Sequence, residues 1–245
     1  YWLAHYGING IYRIEEIAPE NFEEFVMKLS DKGYVGANVT MPHKYAAFKL
    51  ALPDNKARAI GAVNTLWLDG DVLRATNTDG DGFMGALDAA RPRWHERLDN
   101  AVVLGAGGAG RSIVFALLGR GISNVHVVNR SIKKVENMRE AFGDDVKPAH
   151  WDDVPTLLKK AGLLVNATPL GMVGNPELNI DLTFLAEDAI VSDIVYFPLR
   201  TPLLVAADAL GLTTSNGLSM LLHQAVRGFE LWFGLRPEVT QEQYN

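Results

Sequence analysis

Residues 101–118 run Ala101-Val102-Val103-Leu104-Gly105-Ala106-Gly107-Gly108-Ala109-Gly110-Arg111-Ser112-Ile113-Val114-Phe115-Ala116-Leu117-Leu118. A short apolar strand, 101–104, enters a glycine-rich turn directly, and an apolar helix continues from Ile113. Each glycine has a physical task in a turn of this kind. Gly105 permits the tight bend, Gly107 lets the backbone approach a pyrophosphate, and Gly110 allows the helix to pack closely on the sheet. Gly108 and Ala109 complete the turn, and the helix N-terminus offers its free N–H groups to the anion. A second strand, 125–128, follows at the spacing of a βαβ unit, so the turn is expected to hold a dinucleotide. The alternative is a glycine-rich turn with no ligand.

The end of that second strand bears on which dinucleotide. An NAD enzyme carries Asp or Glu there to hold the ribose 2′-hydroxyl, whereas this chain has Asn129-Arg130-Ser131, with Lys133 and Lys134 following. A carboxylate would repel a 2′-phosphate. An arginine can pair with it and lay its planar guanidinium against the adenine. Asn129, Arg130, Ser131 and Lys134 are therefore expected to bind NADP in preference to NAD, the plainer alternative being a solvated basic helix start.

Outward from this core, strand and helix signals alternate, the pattern of a parallel sheet flanked by helices. Residues 1–7 read as the last turns of a helix stopped by Gly7, with further chain expected upstream, and residues 11–17 read as a strand. Pro19 opens a helix with Phe22, Phe25, Val26 and Leu29 at helical spacing, ended by Gly33. Residues 35–39 read as a strand and Pro42 opens another helix, with Ala46, Ala47 and Leu50 on one face. Strands 62–68 and 72–75 meet at Asp69-Gly70-Asp71, a hairpin signal. The charged, proline-containing stretch 90–100 marks a boundary. The expected fold is α/β with two domains. Residues 1–97 are expected to form one α/β domain and residues 98–216 a Rossmann-type, doubly wound NADP-binding domain.

Composition narrows the function classes. With 245 residues, 48% of them hydrophobic and 21% charged, the chain can bury one large core or two smaller ones. A net charge of -6 without clustered Lys and Arg argues against nucleic acid as a partner. The absence of cysteine rules out disulfides and thiolate metal sites, and the six histidines form no HExxH or HxxxH pattern, so no metal is expected. No apolar run approaches the ~20 residues that span a bilayer. A cytoplasmic protein is expected, a monomer or homodimer, with a small molecule as partner and no membrane association.

Three polar segments lie at strand ends in the first half: Asn38-Val39-Thr40-Met41-Pro42-His43-Lys44, Gly61-Ala62-Val63-Asn64-Thr65 and Asn77-Thr78-Asp79-Gly80. Together with the glycine turn, Asn129 to Ser131, Asn166-Ala167-Thr168-Pro169 and residues 217–224, they resemble the shikimate dehydrogenase family in order and spacing, over nearly the whole chain. The resemblance implies NADP-dependent, reversible reduction of 3-dehydroshikimate to shikimate, with Lys44 and Asp79 as the catalytic pair. A Lys ammonium on the carbonyl oxygen can stabilise the developing alkoxide and protonate it, while the carboxylate orients the ammonium and binds a substrate hydroxyl. Taken alone, Lys44 also reads as a surface lysine on a first helical turn, and Asp79 as an N-cap. The resemblance further implies that Asn38, Thr40, Asn64, Tyr196 and Gln224 contact the substrate. It implies that Thr168, Ile194, Gly217 and Met220 border the nicotinamide and its ribose, that residues 1–97 are the substrate-binding and catalytic domain, completed by C-terminal helices at 217–245 that fold back on the first half, and that the cleft lies between domains. The family's Ser-x-Ser segment lies upstream of residue 1. Alternatives are a quinate or aminoshikimate dehydrogenase, a methylene-tetrahydrofolate dehydrogenase, which Asn-Thr-Asp-Gly disfavours, and a non-catalytic NADP-binding regulator.

Overall fold

Short strands need partners for their backbone groups and a face to bury. The computed structural model describes residues 1–244, packed as two units: residues 1–78 with those from 225 onward, and residues 79–224. In the first unit, α1 (Trp2–His5) precedes Gly7, whose φ of 62° turns the chain away, and a 3-10 turn at Pro19–Asn21 leads into α2 (Phe22–Met27). Then come β1 (Gly36–Asn38), α3 (Lys44–Leu50), β2 (Leu52–Pro53), α4 (Asn55–Ile60), β3 (Thr65–Asp69) and β4 (Val72–Thr76). The sheet order is β1-β3-β4-β2. β3 runs antiparallel to both neighbours, and Asp69 pairs with Val72 across the expected hairpin. Phe22, Val26, Ala47, Ala57 and Leu66 form the core beneath it.

Residues 11–17 do not form the expected strand. Ile11, Tyr12 and Ile14 are 76%, 62% and 95% exposed, and among the described residues no strand lies alongside to share a ladder. β-branched and aromatic residues favour extended backbone, but they do not supply the neighbouring strand. α4 and β2 had no expectation attached to them. Asp54 builds α4 by accepting a bond from Ala57 N at 2.8 Å, and it is itself held by the Thr76 hydroxyl at 2.6 Å.

Close approach in this unit depends on Gly36. A Cβ there would stand 2.0 Å from Trp232 Nε1 and 2.4 Å from the Leu66 carbonyl. The Trp232 indole donates to that same carbonyl at 2.8 Å, so the missing side chain is what admits the ring.

The second unit contains α5 (Asp79–Ala90), β5 (Asn100–Leu104), α6 (Gly108–Gly119), β6 (Asn124–Val128), α7 (Ile132–Phe142), β7 (Val146–Ala149), α8 (Val154–Leu158), β8 (Leu163–Asn166), β9 (Ile190–Asp193), α9 (Pro202–Ala209) and β10 (Thr213–Ser215). α10 (Gly217–Phe233) follows, its residues to Gln224 packing with this unit and the rest with the first. The strand order β10-β9-β8-β5-β6-β7 is parallel throughout, the doubly wound arrangement with its crevice where the order reverses between β5 and β8. Side chains alternate between two cores. Ala101, Val103, Leu163 and Val165 join Phe83 and Ile113 on one face, while Val102, Leu104 and Leu164 join Leu158 and Leu203 on the other. A strand buried on both faces must be apolar at every position, which is why the 101–104 run is uninterrupted.

Candidate active site

Polar side chains buried at strand ends must find bonds in neighbouring segments. In the first unit Asn64, Thr65, Asn77 and Thr78 are all 3% exposed or less. Asn64 is their hub. Its Oδ1 accepts from Thr78 N at 2.8 Å and from the Thr65 hydroxyl at 3.0 Å, and its carbonyl accepts from Val39 N at 2.7 Å. Val63 N donates to the Lys44 carbonyl at 3.4 Å and Asn77 Nδ2 to the Ala62 carbonyl at 3.0 Å. These bonds stitch together the three polar segments quoted from the sequence. Asn38 and Thr40 are exposed on this frame, the Asn38 amide donating to the Thr65 hydroxyl at 3.4 Å and accepting from the Tyr12 hydroxyl at 2.9 Å. Lys44, half-buried, is the first residue of α3. Just before it, His43 stacks on Phe22 at 4.2 Å between centroids and shares a 2.8 Å hydrogen bond with the Ile17 carbonyl, which anchors the turn from which Lys44 emerges.

The second unit begins at Asp79, one peptide bond beyond Thr78. Asp79 is buried and opens α5 as a helical residue, so the cap position is Thr78.

The glycine turn has the geometry a dinucleotide needs. Gly105 has φ 105°, and a Cβ on Gly110 would stand 2.3 Å from the Gly105 carbonyl, so both positions exclude any side chain. At Gly107 and Gly108 a Cβ would meet nothing within 4 Å, leaving the front of the turn open where Ala109 and the rest of α6 begin. Asn129 reaches across from the end of β6. Its Oδ1 accepts from Ala106 N at 3.2 Å and its Nδ2 donates to the Ser131 carbonyl at 3.0 Å. Arg130, Ser131 and Lys134 are exposed beside it, and Ser131 caps α7 without using its hydroxyl. Basic side chains, a free hydroxyl and a helix N-terminus together suit a phosphate.

A second group of the expected residues gathers past β8 and β9. Thr168 follows β8, and Ile194 and exposed Tyr196 follow β9. A Cβ on Gly217 would stand 2.3 Å from the Ile194 carbonyl, so the start of α10, with buried Met220, lies against the same loop. Gln224 lies farther along α10, against Gly82 of α5, where an added Cβ would be 2.6 Å from the Gln224 Cβ. Beneath this region lies Asp193, which no sequence expectation covered. Burial pushes its carboxyl upward, while hydrogen bonds from Thr201, Val195 N and Asn166 pull it back. Among the described residues, no group of three or more His, Cys, Asp or Glu could hold a metal ion, and no helix is long and apolar enough to cross a membrane.

Strand order and glycine turn, with Arg130 and Lys134 beside the turn, define a dinucleotide-binding α/β protein of the doubly wound class. Comparison with known proteins narrows the class. Residues 1–66 match the shikimate dehydrogenase substrate binding domain, residues 89–172 the shikimate / quinate 5-dehydrogenase profile, and residues 217–241 the shikimate 5′-dehydrogenase C-terminal domain. The chain is similar to the shikimate dehydrogenase (NADP(+)) of Rhodopseudomonas palustris (strain TIE-1), 58% identical over 99% of this chain and 87% of that one. Among solved structures it is similar to shikimate 5-dehydrogenase from Thermus thermophilus in complex with NADP(H) and shikimate, with TM-score 0.85, 34% identity and coverage of 96% and 87% of the two chains. It is also similar to quinate dehydrogenase from Corynebacterium glutamicum in complex with NAD, with TM-score 0.83, 31% identity and coverage of 96% and 84%. The chain belongs to the shikimate dehydrogenase family.

Proposed function

We propose that this protein is an NADP-dependent shikimate dehydrogenase that reversibly reduces 3-dehydroshikimate to shikimate, a step of aromatic amino acid biosynthesis. One observation carries the proposal: the Asn64 hydrogen bonds join the segments bearing Asn38, Thr40 and Lys44 to Thr78, the residue before Asp79. That frame belongs to a chain 58% identical to a shikimate dehydrogenase (NADP(+)). Gly105, Gly107, Gly108, Ala109 and Gly110 would hold the pyrophosphate, and Asn129, Arg130, Ser131 and Lys134 the adenosine 2′-phosphate. Thr168, Ile194, Gly217 and Met220 would border the nicotinamide half. Bound NADPH supplies the hydride. Lys44 acts as general acid, its ammonium stabilising the negative charge that grows on the ketone oxygen and delivering the proton there. Asp79 accepts a substrate hydroxyl and orients the ammonium. Asn38, Thr40, Asn64, Tyr196 and Gln224 bind the remaining hydroxyls and the carboxylate.

Substrate recognition is assigned to residues 1–97 with 217–245, and NADP to residues 98–216. This functional division differs from the packing units at α5 and the first turns of α10, which pack with the second unit while carrying Asp79 and Gln224. The proposed setting is the cytoplasm, as a monomer or homodimer. The test is turnover of shikimate with NADP⁺, and of 3-dehydroshikimate with NADPH, followed by nicotinamide absorbance. Turnover of quinate in place of shikimate would overturn the substrate assignment, and no turnover of either would overturn the enzyme.

A further inference from the structure

Where neighbouring parallel strands end, their ladder bonds stop, and the loops that leave them must be held by side chains. Past β8 and β9 the holder is Asp193. Its Oδ1 accepts from Asn166 Nδ2 at 2.9 Å and from Val195 N at 3.0 Å, and its Oδ2 accepts from the Thr201 hydroxyl at 2.7 Å. Asn166 passes the constraint on. Its Nδ2 also donates to the Leu170 carbonyl at 3.0 Å, and its Oδ1 accepts from the Thr168 amide at 3.1 Å and the Thr168 hydroxyl at 2.7 Å. Asn166, Asp193 and Thr201 are each 1% exposed or less.

One buried carboxylate thus fixes the loop carrying Thr168 and the loop carrying Ile194 and Tyr196. Its partners are neutral donors, three of them on two oxygens, an arrangement that an acceptor-only group satisfies without rearrangement. We propose that Asp193 is a positioning residue, whose side chain sets the two loops that receive the nicotinamide half of NADP and touches neither cofactor nor substrate. The proposal rests on the dehydrogenase function proposed above.

A merely structural carboxylate would weaken the whole fold when removed, whereas a positioning one should spare the distant adenosine site. The experiment compares affinity for NADP⁺ with affinity for adenosine 2′,5′-bisphosphate, which lacks the nicotinamide half, by calorimetry on the full chain. For Asp193→Ala, bisphosphate affinity should stay within about two-fold, NADP⁺ affinity should fall about ten-fold, and hydride transfer should fall further, since misplacement by about 1 Å costs on the order of a hundred-fold. Asp193→Asn should restore most of both, because the amide oxygen still serves Asn166 and Val195 while the Thr201 hydroxyl turns to accept. If Asp193→Ala does not fold, Thr201→Val, close in shape, removes one of the three bonds and should weaken NADP⁺ by about three-fold with the bisphosphate unchanged. Equal loss of both ligands, or loss of neither, overturns the proposal. The binding comparison needs no substrate, so it reads separately from the turnover assay: absence of shikimate turnover overturns the function proposed above, and an unchanged ligand ratio overturns only the role of Asp193.

Discussion

In the second unit β5, β8 and β9 bury aliphatic side chains in cores on both faces, and their polar residues, Asn100, Asn166, Ser192 and Asp193, stand at or next to the strand ends. In the first unit β3 and β4 open or end on Thr65 and Thr76, and the strand ends lead into Asn64, Asn77 and Thr78, all buried and held by hydrogen bonds. Apolar burial is non-directional and tolerates small shifts, while a buried polar hub loses its value when one partner moves. The difference teaches where each half keeps its precision. The second unit sets its glycine turn on an apolar sheet and confines its polar hub, Asp193 with Asn166, to the ends of β8 and β9, whereas in the first unit a bond network centred on Asn64 ties three separate segments together.

The sharpest way to break this comparison is at Lys44. With Lys44 as the proposed general acid, Lys44→Ala would remove proton donation and charge stabilisation, so turnover should fall by about 10²- to 10⁴-fold while NADP⁺ affinity, measured by calorimetry, is unchanged. Near-native turnover would leave the first unit without its chemistry. The second unit is tested at Arg130, whose exposed guanidinium a 2′-phosphate would engage. Arg130→Ala should weaken NADP⁺ by about ten- to a hundred-fold and NAD⁺ hardly at all, since a charge-assisted bond is worth roughly 1.5–3 kcal/mol. Equal losses would show that Arg130 does not read the phosphate.

Packing in the first unit can be probed without touching the proposed chemistry. Gly36→Ala drives a methyl into Trp232 and the Leu66 carbonyl, and should cost about 1–3 kcal/mol, seen as a Tm lower by several degrees. An unchanged Tm would mean that the indole yields freely. The smallest effect is expected for Asp79→Asn. Turnover should fall at least about ten-fold, equivalent to about 1.4 kcal/mol, with Tm barely moved, because the amide keeps the size of the carboxylate and one acceptor oxygen at the start of α5. Unchanged turnover would leave Asp79 as a helix-start residue alone.

Much of the second unit was legible because its signals are local. Residues 101–110 contain the strand, the turn and the helix start in one run, and two of its glycines, Gly105 and Gly110, are required by geometry within that run or by the adjoining strand end. The first unit was legible through its polar segments, whose clustering could be named while their bonds could not. The Asn64 hub joins residues 39, 64, 65 and 78, and such closure is invisible in any short window. Residues 11–17 misled for the opposite reason, since isoleucines and a tyrosine with strand propensity were present and the partner strand was not. Asp193 was missed because it closes an apolar strand and its partners lie 27, 2 and 8 residues away. Thr201-Pro202 is a helix-start signal that would have located one of them.

Asn129 carries a consequence for the evolution and redesign of cofactor choice. A single-base codon change converts Asn to Asp, the carboxylate that favours NAD at this position. Here, however, the side chain accepts from Ala106 and donates to Ser131 at once. Aspartate can keep the first bond, but it has no proton for the second and sets its charge against the Ser131 carbonyl. The shortest mutational route to the other coenzyme therefore undoes the clasp that Asn129 makes between the glycine turn and the start of α7. A lineage or a designer crossing to NAD must first supply a new donor for Ser131, so the order of substitutions is constrained as much as their identity.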